Sequence, residues 1–344
     1  MIPYIIFAVL LFLLYKKQLP LGMTLLLVLF AVFRYDTGWD YMSYYNVCTD
    51  YTALSISLNA WGKIWSWWFE LMYDKKNPFV GIGVPALLTN ISIAIAFRIL
   101  FGNDKKRLCE ALLIYGLWPF LYLQSFCVVR QFLAIGLSVL GFALFYKKQY
   151  IVCIASYLLA IALHPSSAVA ILFPIILKLK HRLSFSKILT MSVVAVILFG
   201  SMAAILNSLG LMGYVNLLES DDDFGGKISF VYLALAIFLL LAVSKNKDTD
   251  TVDSKILSLL SICVIVQFLI YVSPVPSVVS RGVLYGLIFL PISFGYSINI
   301  VRMPLSKNQI YIIMMLFMFV YLLITKDSPG AASQYVPYKT IWDL

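Results

Sequence analysis

Long apolar runs recur from one end of the chain to the other, and they constrain its fold more than any other feature. Twelve are read as spans: 2–15, 19–33, 78–99, 109–126, 130–146, 149–163, 166–179, 187–206, 228–243, 256–272, 282–300 and 308–325. In hydrocarbon every backbone amide needs a partner within the protein, so runs of this length cross as helices. Several fall below the ~20 residues that cross a bilayer comfortably, so short or broken helices with submerged polar ends are expected. The chain is 62% apolar and 12% charged, against about 25% charged in a soluble domain. The fold class expected is therefore an all-α polytopic integral membrane protein with about 12 transmembrane helices. Residues 1–344 are read as a single membrane-embedded domain with no soluble domain attached and no repeat at a fixed period.

The net charge of +10 does not point to a nucleic-acid partner, because the basic residues are scattered between apolar runs. They read as topology signals. The first run has no basic residue before it and Lys16-Lys17 after it, which predicts an outward N-terminus rather than a signal peptide. With that parity the cytoplasmic turns carry Lys16-Lys17, Lys105-Lys106-Arg107, Lys147-Lys148, Lys178 to Lys187, Lys245 to Lys255, and Arg302 with Lys307. Every cytoplasmic turn is then basic, as the positive-inside rule requires. Both termini fall outside.

Ala53 to Tyr73 is apolar enough to resemble a further span. At helical spacing, however, Trp61, Trp65, Trp68 and Met72 share one face, and Lys63, Ser66, Glu70 and Asp74 the other. That separation predicts an amphipathic interfacial helix over about 60–74. The five cysteines contain no CxxC and form no disulfide framework; only Cys48 sits in a polar stretch. The acidic run Glu219 to Asp223 reads as a solvated turn.

Sorted by side, the unusual polar residues all fall outside. Arg34, Asp36 and Asp40 end the second span among Tyr35, Trp39, Tyr41, Tyr44 and Tyr45. Arg130-Gln131 opens the fifth span, His164-Pro165 joins the sixth and seventh, and Arg281 opens the eleventh. This one-sidedness predicts a site at the outer membrane boundary. Arginine suits bidentate binding of phosphate or carboxylate, and three outer arginines in separate loops suggest a shared anion site, although each alone could snorkel from a helix end. Pro165 suits the first turn of a helix, where the backbone N–H groups of Ser166 and Ser167 would favour an anion. His164 beside it could take a proton from a hydroxyl, bind phosphate, or simply cap a turn. Asp36 and Asp40, four apart, could act as a base, hold the arginines, or hydrogen-bond sugar hydroxyls. The tyrosines suit sugar-ring stacking but also populate membrane interfaces generally. No Walker loop, HExxH or GxSxG motif is present.

Four stretches carry a resemblance. FRYDTGWDYMSYY after the second span, VVRQFLAIGLSVLGFALFY in the fifth, the ALHPSSAVA junction and the terminal VPYKTIW together resemble the EpsG family of Wzy-like polysaccharide polymerases. The resemblance implies a Wzy-like (GT-C-like) helical bundle in the bacterial cytoplasmic (inner) membrane, with its site on the outer face. It implies a glycosyltransferase that joins undecaprenyl-diphosphate-linked oligosaccharide repeat units, donor and acceptor, and releases undecaprenyl diphosphate. No cofactor and no metal are implied; membrane lipid, a flippase and a chain-length regulator are the implied surroundings. Under that reading His164, Asp36, Asp40 and Arg130 are the catalytic candidates. Arg34, Tyr35, Tyr41, Tyr45, Gln131 and Arg281 are the substrate-binding ones. A flippase of the same lipid-linked sugar and a membrane acyltransferase are the alternatives. The first lacks visible internal repeats and midplane charges; the second lacks polar clusters other than lysines on its cytoplasmic side.

Overall fold

The computed structural model describes residues 1–60, 62–200, 226–272, 278–326 and 335–343. The described chain is helical apart from one short two-stranded pairing. It forms two compact units, Met1–Ala168 with Leu305–Leu344, and Val169–Pro304.

The first unit begins with α1 (Ile2–Lys16) and α2 (Pro20–Val32), then β1 (Arg34–Tyr35), α3 (Tyr41–Val47), α4 (Tyr51–Ala60) and α5 (Lys63–Asp74). The long α6 (Pro78–Phe101) follows, then α7 (Lys105–Leu117), the short α8 (Gln124–Cys127), α9 (Val129–Tyr146) and α10 (Tyr150–Leu163). Local chemistry sets several of these boundaries. Asn77 caps α6 by accepting from Val80 N, with Pro78 at the first turn where its missing N–H costs nothing. Asp104 caps α7 in the same way. Ser306 and Gln309 form a reciprocal capping box at the start of the helix Lys307–Thr325.

Packing is closest where side chains are small. A Cβ on Gly136 of α9 would stand 3.1 Å from Thr89 O of α6, and one on Gly116 of α7 would overlap Leu11 of α1. Without a hydrophobic drive between helices in lipid, such close approach supplies the attraction.

Each of the twelve expected spans overlaps a described helix, but twelve crossings do not result. Among the described residues five helices are long and apolar enough to cross: Pro78–Phe101, Val129–Tyr146, Ile228–Lys245, Val252–Val272 and Lys307–Thr325. A sixth candidate is the pair Arg281–Leu287 and Leu290–Val301, bent by 54°. Five others are shorter apolar helices of 10–17 residues. The expected continuous span 109–126 is broken: α7 stops at Leu117, before Pro119, and α8 starts at Gln124. Proline restricts the residue before it and cannot donate in a helix interior, which accounts for the stop.

The amphipathic helix is present as α5. At 12 residues it is about 18 Å long, too short to cross the ~30 Å hydrocarbon core. Its buried stripe is Trp65, Phe69 and Met72, packed on α6 and α10 rather than left for lipid. Trp68 donates its indole N–H to Gly81 O, and Trp61 lies outside the described residues, as does the acidic run Glu219 to Asp223. Cys48, expected in a polar stretch, is buried, and a Cβ on Gly81 would crowd its sulfur.

The first unit has two distinguishable ends. At one, Glu110 of α7 accepts from Lys307 Nζ at 2.7 Å and from the hydroxyl of Tyr311, whose ring lies edge-on to Tyr15 at the end of α1. The other end gathers the start of α1, the end of α2, α8, the start of α9 and the C-terminal segment 335–343. In the second unit, described by itself, Val252–Val272 packs against Gly226–Lys245 and Phe185–Gly200. Phe173 meets Phe289 edge-on.

Candidate active site

The polar end of the first unit is built on the turn after α2. Asp36 and Gly38 have positive φ, +42° and +99°, so the chain reverses sharply there. A Cβ on Gly38 would fall 2.6 Å from Phe126 O, which leaves glycine alone able to let the turn lie against α8.

Arg34 is the largest fully buried side chain, 1% exposed. Its guanidinium donates to Ala31 O and, at 3.4 Å, to Phe126 O, and lies over the rings of Phe126 at 4.7 Å and Tyr41 at 5.7 Å. Its Nε has no hydrogen-bond partner among the described residues. Burial lowers its pKa, partly offset by the neighbouring tyrosines. Arg34 thus joins the end of α2 to α8 and keeps a positive charge surrounded by carbonyls and rings.

Arg130, second residue of α9, is half-buried. Its Nε reaches the hydroxyl of Tyr44 at 3.5 Å. Burial pushes the Tyr44 phenol up; the charge of Arg130 opposes this and that of Asp40 adds to it. Asp40, Tyr44 and Arg130 are therefore electrostatic neighbours. Gln131 follows Arg130 and is buried.

Tyr35, Tyr41 and Tyr45 converge, Tyr35 meeting Tyr41 at 5.7 Å and Tyr45 at 5.9 Å, both edge-on. Tyr41 is fully buried, while Tyr35 and Tyr45 are half-buried.

His164 ends α10 in an extended conformation, its Nδ1 2.7 Å from Ser166 Oγ. The α-helix expected to start at Pro165 does not: Pro165–Leu172 is a 3-10 helix, and α-helical geometry begins only at Phe173. Eight 3-10 residues exceed the usual run of about three or four. Aromatic packing connects His164 to the other residues. Its neighbour Leu163 O accepts from Trp65 Nε1 at 2.7 Å; Trp65 stacks on Phe69 and Phe69 on Tyr44, each at 5.8 Å. Arg281 lies in the second unit, exposed on the helix Val278–Leu287.

The C-terminal segment was not expected here. β2 (Lys339–Thr340) pairs antiparallel with β1, Arg34 opposite Thr340 and Tyr35 opposite Lys339. Tyr338 stacks on Phe30 at 4.1 Å and donates to its carbonyl, and Tyr335 is buried against Cys127, 3.0 Å from its sulfur. Lys339 Nζ binds Asp36 Oδ2 at 2.6 Å, with 40% and 37% of the two side chains exposed. That hydrogen bond raises the Lys339 pKa. In the sequence, VPYKTIW carried only the family resemblance. Among the described residues no three His, Cys, Asp or Glu side chains group as metal ligands.

The family model described as EpsG matches residues 4–340. No curated protein and no solved structure matches the chain.

Proposed function

The chain belongs to the EpsG family, whose members are Wzy-like polysaccharide polymerases, and from that premise we propose that it joins undecaprenyl-diphosphate-linked repeat units at the outer face of the cytoplasmic membrane. The observation that carries the reading is Arg130, at the head of a span, meeting Tyr44 of α3, the short helix that follows the turn holding Asp36 and Asp40. The acceptor hydroxyl oxygen forms a bond to the anomeric carbon of the donor sugar. The bond from that carbon to the diphosphate oxygen breaks, and undecaprenyl diphosphate leaves with the electron pair. The hydroxyl proton passes to His164, or to Asp36 or Asp40.

The leaving diphosphate gains charge as the bond breaks, so a cation in a partly dry site stabilises the transition state more than the ground state. Arg130 is half-buried and placed for that contact. Arg34, held by carbonyls and rings, adds positive potential from behind the loop. Tyr35 and Tyr45, only half-buried, offer faces to a sugar. Gln131 orients it or the phosphate.

Reconstitution with a lipid-linked repeat unit tests the reading: longer glycans form and undecaprenyl diphosphate is released. His164→Ala lowers elongation by about 10²–10⁴-fold in protein that still inserts; normal elongation by that variant removes His164 from the mechanism. Orientation is read in a cysteine-free background. An impermeant maleimide labels Asp74→Cys in intact cells but not Lys105→Cys, and labelling at 105 reverses the proposed sidedness.

A further inference from the structure

The pair between Lys339 and Asp36 is not absorbed by the mechanism above. Its main chain is firmly held: Lys339 stands opposite Tyr35 in the strand pairing, and its backbone N–H donates to Thr37 Oγ1 at 3.4 Å. Its side chain is not, with the ammonium on a flexible stem and both partners open to solvent. A fixed root with a mobile cation suits a group that changes partner. An open lysine–aspartate pair adds little to folding, so it can part without cost to the loop that holds Asp36.

We infer that Lys339 is a diphosphate ligand held in reserve: in the empty protein its ammonium rests on Asp36, and it moves to the diphosphate of the lipid-linked donor, leaving the Asp36 carboxylate to accept the acceptor's hydroxyl. The inference rests on the polymerase reading. A diphosphate carries more charge than one carboxylate and presents several acceptor oxygens, so it competes for the ammonium. Arg34, whose hydrogen bonds and ring contacts all go to neutral groups, lies opposite Thr340 in the same strand pairing and adds to the field that draws the anion. The occupancy of Asp36 thereby depends on the donor being bound, and the strand pairing keeps the two events within one side-chain swing.

The test uses the full chain in phosphatidylcholine nanodiscs, titrated with polyprenyl diphosphate or polyprenyl monophosphate and followed by fluorescence of the tryptophans. Lys339→Ala weakens diphosphate binding by about tenfold and monophosphate binding less, whereas Lys339→Arg stays near the wild type. Asp36→Asn acts in the opposite direction, tightening diphosphate binding, because it removes the competitor for the ammonium. A purely structural pair would make both variants lose together. The inference is overturned if Lys339→Ala binds as the wild type does, if Asp36→Asn weakens binding as Lys339→Ala does, or if monophosphate and diphosphate are affected equally. In elongation assays Lys339→Ala raises the donor KM while Asp36→Asn lowers kcat. Wild-type protein that binds the diphosphate but never elongates defeats the polymerase reading and leaves the ligand assignment standing; elongation with an indifferent Lys339→Ala does the reverse.

Discussion

Each end of the first unit carries an ion pair that ties a late stretch of the chain to an early one, and the two pairs sit in different surroundings. Glu110–Lys307 is nearly closed, its carboxylate side chain 8% exposed and also hydrogen-bonded to Tyr311. Asp36–Lys339 is open, with more than a third of each side chain in solvent. Desolvation separates their roles. A charge taken out of water must keep its partners, because losing one leaves an uncompensated buried group. A charge left in water loses little when its partner goes. The closed pair is therefore suited to joining helices, and the open pair to meeting a ligand.

The largest effect that sharpens this contrast is on stability. Glu110→Ala, which leaves Lys307 and the Tyr311 hydroxyl without their acceptor, lowers unfolding stability by about 3 kcal/mol, read as a fall in the thermal midpoint in detergent. Glu110→Leu with Lys307→Met costs less than that single change. If Glu110→Ala melts with the wild type, the closed pair is not a fastener. At the open end the effect moves to turnover: Arg130→Ala lowers elongation by about 10²–10³-fold with an unchanged melting curve.

Lys339→Ala changes stability by only ~0–1 kcal/mol, and a loss as large as that of Glu110→Ala would erase the distinction. The pH dependence has a definite sign. Lys339 is raised above its usual 10.5, so the pair's contribution is fully present below that value and is lost as pH rises through the raised one. The pair's small contribution to thermal stability is therefore unchanged at pH 9 and is lost only in stronger alkali, read as the difference in melting between the wild type and Lys339→Ala across that range. The smallest effect is a null result. Burial pushes the Cys48 thiol up to about 12, so about one part in ten thousand is thiolate at pH 8. Cys48 resists maleimide in folded protein and reacts after denaturation; rapid labelling would mean that the layer beneath the polar loop is open too.

Much of this arrangement was legible beforehand. The apolar runs located every long helix among the described residues, because lipid forces each segment to satisfy its own backbone. The amphipathic pattern located α5, although its stripe proved to be Trp65, Phe69 and Met72 packed on protein, since helical spacing identifies a face without saying what covers it. Pro119 and Pro291 stood in the sequence at the places where expected spans break or bend. Glu110 was not legible: a lone acid near a basic turn reads as solvated, and only the approach of Tyr311 and Lys307, some 200 positions away, makes it a fastener. Arg34 and Arg130 looked alike as outer arginines, and burial distinguishes them.

The sequence alone determined that the chain is a bundle of membrane helices with its unusual polar residues in the turns after α2, before α9 and after α10. Those properties are local, set by run length, charge and proline. Only the tertiary structure decided which turns meet. The attachment of residues 335–343 to β1, the seating of Gly38 against Phe126, and the aromatic path from Tyr44 through Phe69 and Trp65 to the residue before His164 join segments far apart in the chain. Such pairings depend on shape and desolvation across the folded unit, and no periodicity within one segment encodes them.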